Sequence, residues 1–267
     1  AVPRNRELFS AGRHLCIILG IGEGSVSKTY TIKEVWNTLQ GEGARAGSRS
    51  VFVRFVACNL WDGNPLHRHL GKGACSKWCD TDFAKGDPMT GEQLLAEMNR
   101  LWPKAAEPRW VVFSGGEPLL QVDKDLCDLV MADGWRIAVE TNGSVQPKAD
   151  VFDLISHLTV SPKRGAPLVL NYADELKVVL PGSADEPWSD AELEKMAKHL
   201  NPVEMFVQPQ DPIDTEKVNA SHLSQALESD PRAALHYMAN EKRCVEFVMR
   251  NPIWRVSLQT HKFLRVP

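Results

Sequence analysis

The sequence predicts an α/β fold in which a parallel sheet, closed or partly closed into a barrel, is covered by helices on its outer side. Strand-like runs rich in β-branched and aromatic residues alternate with amphipathic runs at helical spacing. Several strand-like runs end in short polar motifs, and ligands of α/β folds collect at those ends. At 267 residues with 43% hydrophobic content, the chain is long enough to form one such domain.

The first half of the chain supplies three strands and a helix. The runs YTIKEVWNTL and SVFVRFVA are strand-like, and Cys58 follows the second directly. Thr90 and Gln93 form a capping box at the start of a helix that Pro103 terminates, and RWVVF then predicts a buried strand ending in SGGEP. Residues 1–27 show no such pattern, so we expect an N-terminal extension of unknown role before a single domain of residues 28–267.

The alternation continues through the second half. VDKDLCDLVMADG is helical with Gly134 at its C-terminal cap, and WRIAVETN, LISHLTVSPK and DELKVVLP are strand-like. SDAELEKMAKHL is a helix with a capping box of Ser189 and Glu192, and VEMFVQPQD is the next strand. Residues 214–250 predict one or two helices interrupted near Pro231, and WRVSLQT predicts a last strand that leads into HKFLRVP.

Composition argues against several classes of function. The net charge is −3, from 31 Lys and Arg against 34 Asp and Glu, and no long basic run predicts a grip on nucleic acid. The apolar run Leu15–Leu19 is too short to span a membrane. Six cysteines in a chain of this length do not resemble the disulfide framework of a small secreted domain, so we expect a cytoplasmic protein.

Three cysteines, Cys58, Cys75 and Cys79, lie close together in the sequence with no fourth nearby. An iron–sulfur cluster normally takes four thiolates, so three would leave one iron open to a small molecule. The alternative is a structural zinc site, in which His67 or His69 completes a Cys₃His tetrahedron. The strand-end motifs GGE, ETN, SPK and QPQ are expected to converge at one rim, and they favour the cluster because a zinc module has no need of them.

An ordered set of motifs resembles the 7-carboxy-7-deazaguanine synthase family from about Tyr30 to Pro267. The set is TLQGEG, CNLW, WCDTDF, SGGEP, ETNGS, SPK, QPQD and QTHKFLRVP. The resemblance implies a modified, incomplete (β/α) barrel of the radical S-adenosylmethionine (SAM) type, with a [4Fe–4S] cluster, SAM and Mg²⁺. It also implies a homodimer, an electron donor such as flavodoxin or ferredoxin, and ring contraction of 6-carboxy-5,6,7,8-tetrahydropterin with loss of ammonia.

The resemblance assigns the cofactor sites. Cys58, Cys75 and Cys79 would hold the cluster, and Thr81 would contact Mg²⁺. Glycines lack a side chain, so the GGE loop can approach the methionine end of SAM closely, and the carboxylate that follows can accept from its ammonium group. The residues implied to hold SAM are Gly115, Gly116, Glu117, Ser161, Pro162, Lys163, Gln208, Pro209, Gln210 and Asp211.

The resemblance also assigns the substrate site. Arg54 would fork onto the substrate carboxylate, a geometry that lysine does not reproduce, although it could instead pair with a surface carboxylate. Glu140 and His261 are expected to handle protons or contact substrate, while ETN could also be an ordinary turn because Asn142 precedes glycine. The other residues implied to bind substrate are Leu39, Gln40, Gly41, Glu42, Ser114 and Pro267.

The chain departs from the family pattern in three places. CSKWC has three residues between its cysteines where the family has two, so a bulge or local turn must absorb the extra one, and the preceding loop is long. Ser114 replaces the usual threonine but keeps the hydroxyl, and the stretch 212–235 has no assignable role.

A glycyl-radical-enzyme activase is the alternative enzyme, although TLQGEG, Arg54 and the last residues favour a small carboxylated heterocycle as the substrate.

The last residue carries a prediction. In the family the chain ends in a proline whose free carboxylate reaches the substrate, and Pro267 is the last residue of this sequence. We hypothesise that extra residues after Pro267 raise the Michaelis constant, because they remove that charge and crowd the pocket. Turnover of the two forms should be compared at several substrate concentrations, and equal Michaelis constants would contradict the hypothesis.

Overall fold

The computed structural model describes residues 27–102, 107–180, 188–210 and 231–267. Within these ranges, nine strands form one sheet. They are β1 (Thr29–Leu39), β2 (Arg49–Phe55), β3 (Asp87–Thr90), β4 (Arg109–Gly115), β5 (Trp135–Thr141), β6 (His157–Val160), β7 (Glu175–Leu180), β8 (Glu204–Pro209) and β9 (Arg255–Val256). Their order across the sheet is β3-β1-β2-β4-β5-β6-β7-β8-β9.

The sheet is open, because β3 and β9 lie at opposite edges. From β2 through β4 to β9 all neighbouring strands pair in parallel, as the alternating pattern predicts. Strand β1 departs from the predicted parallel arrangement, because it pairs antiparallel with both β2 and β3. A short turn joins β1 to β2, and a parallel pairing would need a longer crossover. The architecture is therefore an incomplete (β/α) barrel extended by an antiparallel edge.

The helices follow the strands in the predicted alternation. They are α1 (Gly91–Leu101), α2 (Lys124–Ala132), α3 (Ala149–Phe152), α4 (Asp190–Leu200), α5 (Pro231–Arg250) and α6 (Thr260–Leu264). Both capping boxes are present, at Thr90 with Gln93 and at Ser189 with Glu192. Gly134 has a φ of 86°, the left-handed conformation expected just after α2. No helix in these ranges combines the length and the apolar content that crossing a bilayer requires.

Two predictions near the end of the chain need correction. The last strand is confined to Arg255–Val256 and is shorter than WRVSLQT. The residues after it form α6, a helix too short for hydrophobic periodicity to predict. The interruption predicted near Pro231 corresponds to the start of α5, where proline is favoured as the first helical residue. The rest of the stretch 212–235, up to residue 230, lies outside the described residues.

The alternation of side chains along the strands separates the core from the inner face of the barrel. Val51, Val53 and Phe55 of β2 are fully buried in the main hydrophobic core, which α1, α2, α4 and α5 share. Arg54 projects to the opposite face and lies level with Ser114 on the neighbouring strand β4. The inner face therefore carries polar side chains near the carboxyl ends of the strands.

Candidate active site

Cys58 is held at the end of β2 by close packing against the loop after β4. The backbone reverses at Ala57, which has a left-handed φ of 76°. The Ala57 carbonyl accepts a hydrogen bond of 2.9 Å from the Glu117 N–H. A Cβ at Gly116 would lie 2.1 Å from the same carbonyl oxygen, so this position requires glycine. The glycines of the GGE motif thus allow the loop after β4 to pack against the loop after β2, in addition to any contact with a ligand.

The long loop between Cys58 and Cys79 folds into two 3₁₀ helices, Pro65–Leu70 and Ala74–Lys77. Cys75 lies in the second one, and its carbonyl accepts a hydrogen bond of 3.0 Å from the Trp78 N–H. This tight turn absorbs the extra residue of CSKWC, which confirms the expectation of a local turn.

Arg68 organises the loop from inside. Its guanidinium donates to the carbonyls of Ser76 (2.8 Å) and Cys79 (3.3 Å) and lies 4.7 Å from the centroid of the Trp61 ring. The Ser76 hydroxyl donates back to the Arg68 carbonyl over 2.8 Å. One side chain therefore fixes both of the later cysteines.

The three thiols line one cavity of about 180 Å³, the sulfur cavity. All three are free thiols, and burial raises the pKa of Cys58 and Cys75 and brings that of Cys79 to about 11. Metal binding must therefore displace their protons. Neither His67 nor His69 lines this cavity, and the His67 ring instead pairs with Asp62 at 2.5 Å. The histidines required by the zinc alternative are thus directed elsewhere.

The strand-end motifs converge on the sulfur cavity as predicted. The predicted SAM-binding residues that line it are Gly115, Gly116, Ser161, Lys163, Gln208, Pro209 and Gln210. Pro162 is buried and does not line the cavity. Asp211 lies outside the described residues.

Glu117 is fully buried behind the cavity wall. Its carboxylate accepts from the Thr141 hydroxyl (2.8 Å), the Asn142 N–H (2.8 Å) and the Leu119 N–H (3.1 Å). Burial raises the pKa of Glu117, and these hydrogen bonds oppose the rise. The described donors to this carboxylate come from the protein itself, so Glu117 joins the GGE loop to the ETN loop.

The ETN motif is more than an ordinary turn. The Asn142 amide donates to the Asn59 side chain over 3.0 Å, and Asn59 directly follows Cys58. The Ala74 N–H also donates to the Arg164 carbonyl over 2.8 Å, which joins the Cys75 turn to the SPK motif. The loops that carry the cysteines and those of the sheet therefore form one connected rim.

A second cavity of about 750 Å³, the acid cavity, adjoins the first. Every residue predicted to bind the substrate or to act on it lines this cavity, and so does Thr81. The predicted substrate residues are Leu39, Gln40, Gly41, Glu42, Arg54, Ser114, Glu140, His261 and Pro267. The two cavities share one wall, made of Glu42, Asp80, Thr81, Ser114, Glu140 and Gln259.

Gln40 of the acid cavity is hydrogen-bonded to Glu140 of this wall. The Gln40 amide donates to Glu140 Oε1 over 2.9 Å, and the Ser114 hydroxyl approaches Glu140 Oε2 at 3.4 Å. The Gln40 carbonyl oxygen in turn accepts from the Glu42 N–H at 3.1 Å. The wall therefore presents donors and acceptors in a fixed arrangement.

Glu42 receives donors from three elements. Lys177 of β7 pairs with Oε2, while Gln208 (3.1 Å) and Gln259 (2.9 Å) donate to Oε1. Burial alone would raise the pKa of Glu42, but the charge of Lys177, the charge of His261 when its ring is protonated, and the hydrogen bonds from Lys177 and Gln259 outweigh it and bring the pKa to about 2. Lys177 and Gln259 are not among the residues predicted from the sequence. A lysine within the apolar run DELKVVL was the available signal for Lys177.

The final residues of the chain close the acid cavity. A Cβ at Gly41 would lie 1.9 Å from His261 Nδ1, so glycine admits the imidazole. Burial lowers the pKa of His261, against the opposing charge of Glu42, which favours the neutral ring near pH 7. The Thr38 hydroxyl donates to the Pro267 carbonyl over 2.6 Å.

Arg54 forms the pair with a surface carboxylate that the sequence left open as an alternative, and it also lines the acid cavity. Its Nε pairs with the half-exposed Glu34 at 2.6 Å, and its guanidinium lies 4.9 Å from the centroid of the Trp36 ring. The two terminal nitrogens form a second donor edge in the side chain that lines the acid cavity.

The fold and the paired cavities define an α/β enzyme for small molecules. A 7-carboxy-7-deazaguanine synthase from Burkholderia multivorans is 39% identical over 245 residues, which cover 90% of this chain and 100% of that protein. Its counterpart from Bordetella pertussis is 38% identical over 244 residues, or 89% and 99% of the two chains. The chain belongs to the 7-carboxy-7-deazaguanine synthase family.

A solved structure supports the fold. The crystal structure of QueE from Escherichia coli aligns with a TM-score of 0.57 at 23% identity, and the alignment covers 86% of this chain and 93% of that one. No family model matches the sequence.

The role of Arg68 predicts the reactivity of the later cysteines. In metal-free protein, Arg68→Met should increase thiol alkylation of Cys75 and Cys79 roughly tenfold, because two charge-assisted hydrogen bonds that close the loop are lost. Peptide mass spectrometry would measure the rates. Lys72→Met, at an exposed position in the same loop, is the matched control. Equal rates in all three proteins would show that Arg68 does not hold the loop.

Proposed function

We propose that this protein converts 6-carboxy-5,6,7,8-tetrahydropterin to 7-carboxy-7-deazaguanine by a radical ring contraction that releases ammonia. The observation that carries the proposal is the shared wall between the sulfur cavity and the acid cavity. A reactive species produced beside the cysteines would face a substrate held by amide, carboxylate and guanidinium groups with no further barrier. Membership of the synthase family supports the same reaction.

The sulfur cavity fits a [4Fe–4S] cluster and SAM. Each cysteine of a cluster binds its own iron, so the thiols need not meet at one point. In the described part of the chain, no three Cys, His, Asp or Glu side chains meet at a single ion position. When bound, the cluster and SAM supply the radical chemistry. The chain would hold SAM with Gly115, Gly116, Ser161, Lys163, Gln208, Pro209 and Gln210, and Glu117 would support them from behind.

The acid cavity suits a flat heterocycle that bears a carboxylate. Gln40, Glu42 and Glu140 offer amide donors and carboxylate acceptors for the pterin edge, and Arg54 offers a donor edge for the carboxylate. Thr81 stands in the shared wall, where a Mg²⁺ ion that keeps part of its water would bridge to the substrate. The neutral imidazole of His261 is suited to accept a proton.

Further proposals concern the setting of the enzyme. Residues 28–267 would form one radical SAM domain, with residues 1–27 as an extension, because the main core joins residues from β1 to α5. We propose a homodimer that receives electrons from flavodoxin or ferredoxin in the cytoplasm. Sedimentation analysis would test the dimer.

Anaerobic reconstitution tests the proposed reaction. We expect a brown protein whose visible absorbance bleaches with dithionite, and which forms 7-carboxy-7-deazaguanine and ammonia from the carboxypterin in the presence of SAM and Mg²⁺. A triple Cys→Ala variant at 58, 75 and 79 is the control and should stay colourless. A colourless wild-type protein with stoichiometric zinc would contradict the cluster. A brown protein without product would favour the glycyl-radical-enzyme activase.

The role of Arg54 predicts a selective defect. Arg54→Lys keeps the charge but loses the forked donor edge, so the Michaelis constant should rise about tenfold while kcat changes little. Steady-state kinetics would measure both constants. Arg255→Lys, at an exposed arginine outside both cavities, is the matched control. An unchanged Michaelis constant would remove Arg54 from the substrate site.

A further inference from the structure

Lys177 is buried on the inner face of β7, with 4% of its surface exposed. Its neighbours Leu176 and Val178 face the hydrophobic core, so the alternation of the strand directs the ammonium group into the barrel. There it pairs with Glu42 and lines the sulfur cavity. It stands on the side of Glu42 that faces the cysteines and does not line the acid cavity.

Three carboxylates surround the ammonium group of Lys177. Glu42, Glu140 and Glu175 all act on the ammonium, and their attraction outweighs burial and raises the pKa of Lys177 above its ordinary value. The two glutamine amides occupy Glu42 Oε1, which leaves Lys177 as the partner of Oε2. Lys177 therefore determines both the charge and the direction of the second carboxylate oxygen.

Stability alone is a weak reason for such a pair. The desolvation of two buried charges offsets much of their attraction, and an apolar pair of similar volume is often equally stable. The position of Glu42 in the wall of both cavities offers a reason that concerns the ligand. A 2-amino-4-oxo pterin presents N–H donors on one edge. Gln208, Gln259 and Lys177 take three of the four acceptor sites of the Glu42 carboxylate, and the site that remains on Oε2 can accept one of those donors only while the group is ionised.

We propose that Lys177 is a positioning residue for substrate recognition, which holds the Glu42 carboxylate ionised and in one orientation so that Oε2 accepts an N–H donor of the pterin edge. This inference rests on the proposed function. The sequence motifs include Glu42 but not the lysine on which its charge depends.

The sign of the pH effect follows from the surroundings of Glu42. The charged groups that act on it directly are Lys177 of β7 and His261 of α6. Glu140 of β5 and Glu175 of β7 act in turn on Lys177, and Lys262 of α6 and Asp80 act on His261. Without Lys177, burial of the carboxyl is opposed by the hydrogen bond from Gln259 and, only when its ring is protonated, by His261, so the pKa of Glu42 rises. Protonation then competes with pterin binding as the pH falls.

Binding of 6-carboxypterin, the stable oxidised form of the substrate, tests the inference in anaerobically reconstituted enzyme. Its Kd is measured between pH 6 and 8 and expressed as the ratio of variant to wild type, in which the titration of the ligand cancels. Each ratio is also measured in a His261→Asn background, because the titration of His261 is coupled to the charge of Glu42 and does not cancel. For Lys177→Met the ratio should grow as the pH falls, and its slope should steepen toward about tenfold per pH unit where the pH lies below the raised pKa of Glu42.

Three further variants separate charge from structure. Lys177→Arg keeps the charge and should give a ratio near one at every pH. The double variant Glu42→Gln/Lys177→Met has no carboxyl to protonate, so its ratio should be raised but independent of pH. Gln259→Leu removes an uncharged donor from Glu42 and should also show no pH trend. If Lys177→Met does not fold, Lys177→Gln replaces it, with the same slope expected.

A ratio for the Lys177→Met or Lys177→Gln enzyme that is independent of pH would overturn the inference, since loss of packing alone gives no proton dependence. The same slope in the double variant would also overturn it. Wild-type enzyme that fails to bind 6-carboxypterin at any pH would instead overturn the proposed function, and the inference with it.

Discussion

Close packing around the turn Gly41–Glu42–Gly43 fixes the wall on which the whole site depends. A Cβ at Gly41 would strike the His261 ring at 1.9 Å, and one at Gly43 would strike the Glu175 carboxylate at 2.1 Å. The turn is therefore held between the C-terminal helix and β7, with the Gly41 carbonyl accepting from the Thr260 N–H at 2.9 Å. Two glycines permit this contact, and the glutamate between them is left with one orientation, toward its three donors.

The two cavities differ in the charge state of the side chains that line them. The sulfur cavity is built from one buried thiol, Cys75, and two half-buried ones, Cys58 and Cys79, and their raised pKa keeps them neutral until a metal displaces the protons. The acid cavity is built from ionised or amide side chains whose directions are fixed by one another. Because the wall between them consists of polar side chains rather than a layer of core, one ligand can meet the other without any movement of the sheet.

The sequence predicted the features that repeat or that sit at strand ends. Strand and helix alternation, both capping boxes and the convergence of the GGE, ETN, SPK and QPQ motifs are local signals that the packing preserves. The antiparallel pairing of β1 and the helix α6 were not predicted, because neither strand direction nor a short helix produces a periodic pattern in the sequence. Lys177 was not predicted for a different reason. Its ion-pair partner Glu42 lies 135 residues away in the sequence, and no spacing rule connects the two.

Arg45 is a second cation near the carboxylates of the inner face. Arg45 lies 3.6 Å from the centroid of the Trp110 ring, and although burial lowers its pKa to about 10, the carboxylates of Glu140 and Glu175 oppose that shift. It therefore remains charged at neutral pH. With Lys177 above and Arg45 below, the carboxylates of the inner face have buried cations that solvent and salt screen poorly. Charges fixed in this way need little reorganisation when a polar substrate enters, which is the property that an enzyme site requires of its electrostatics.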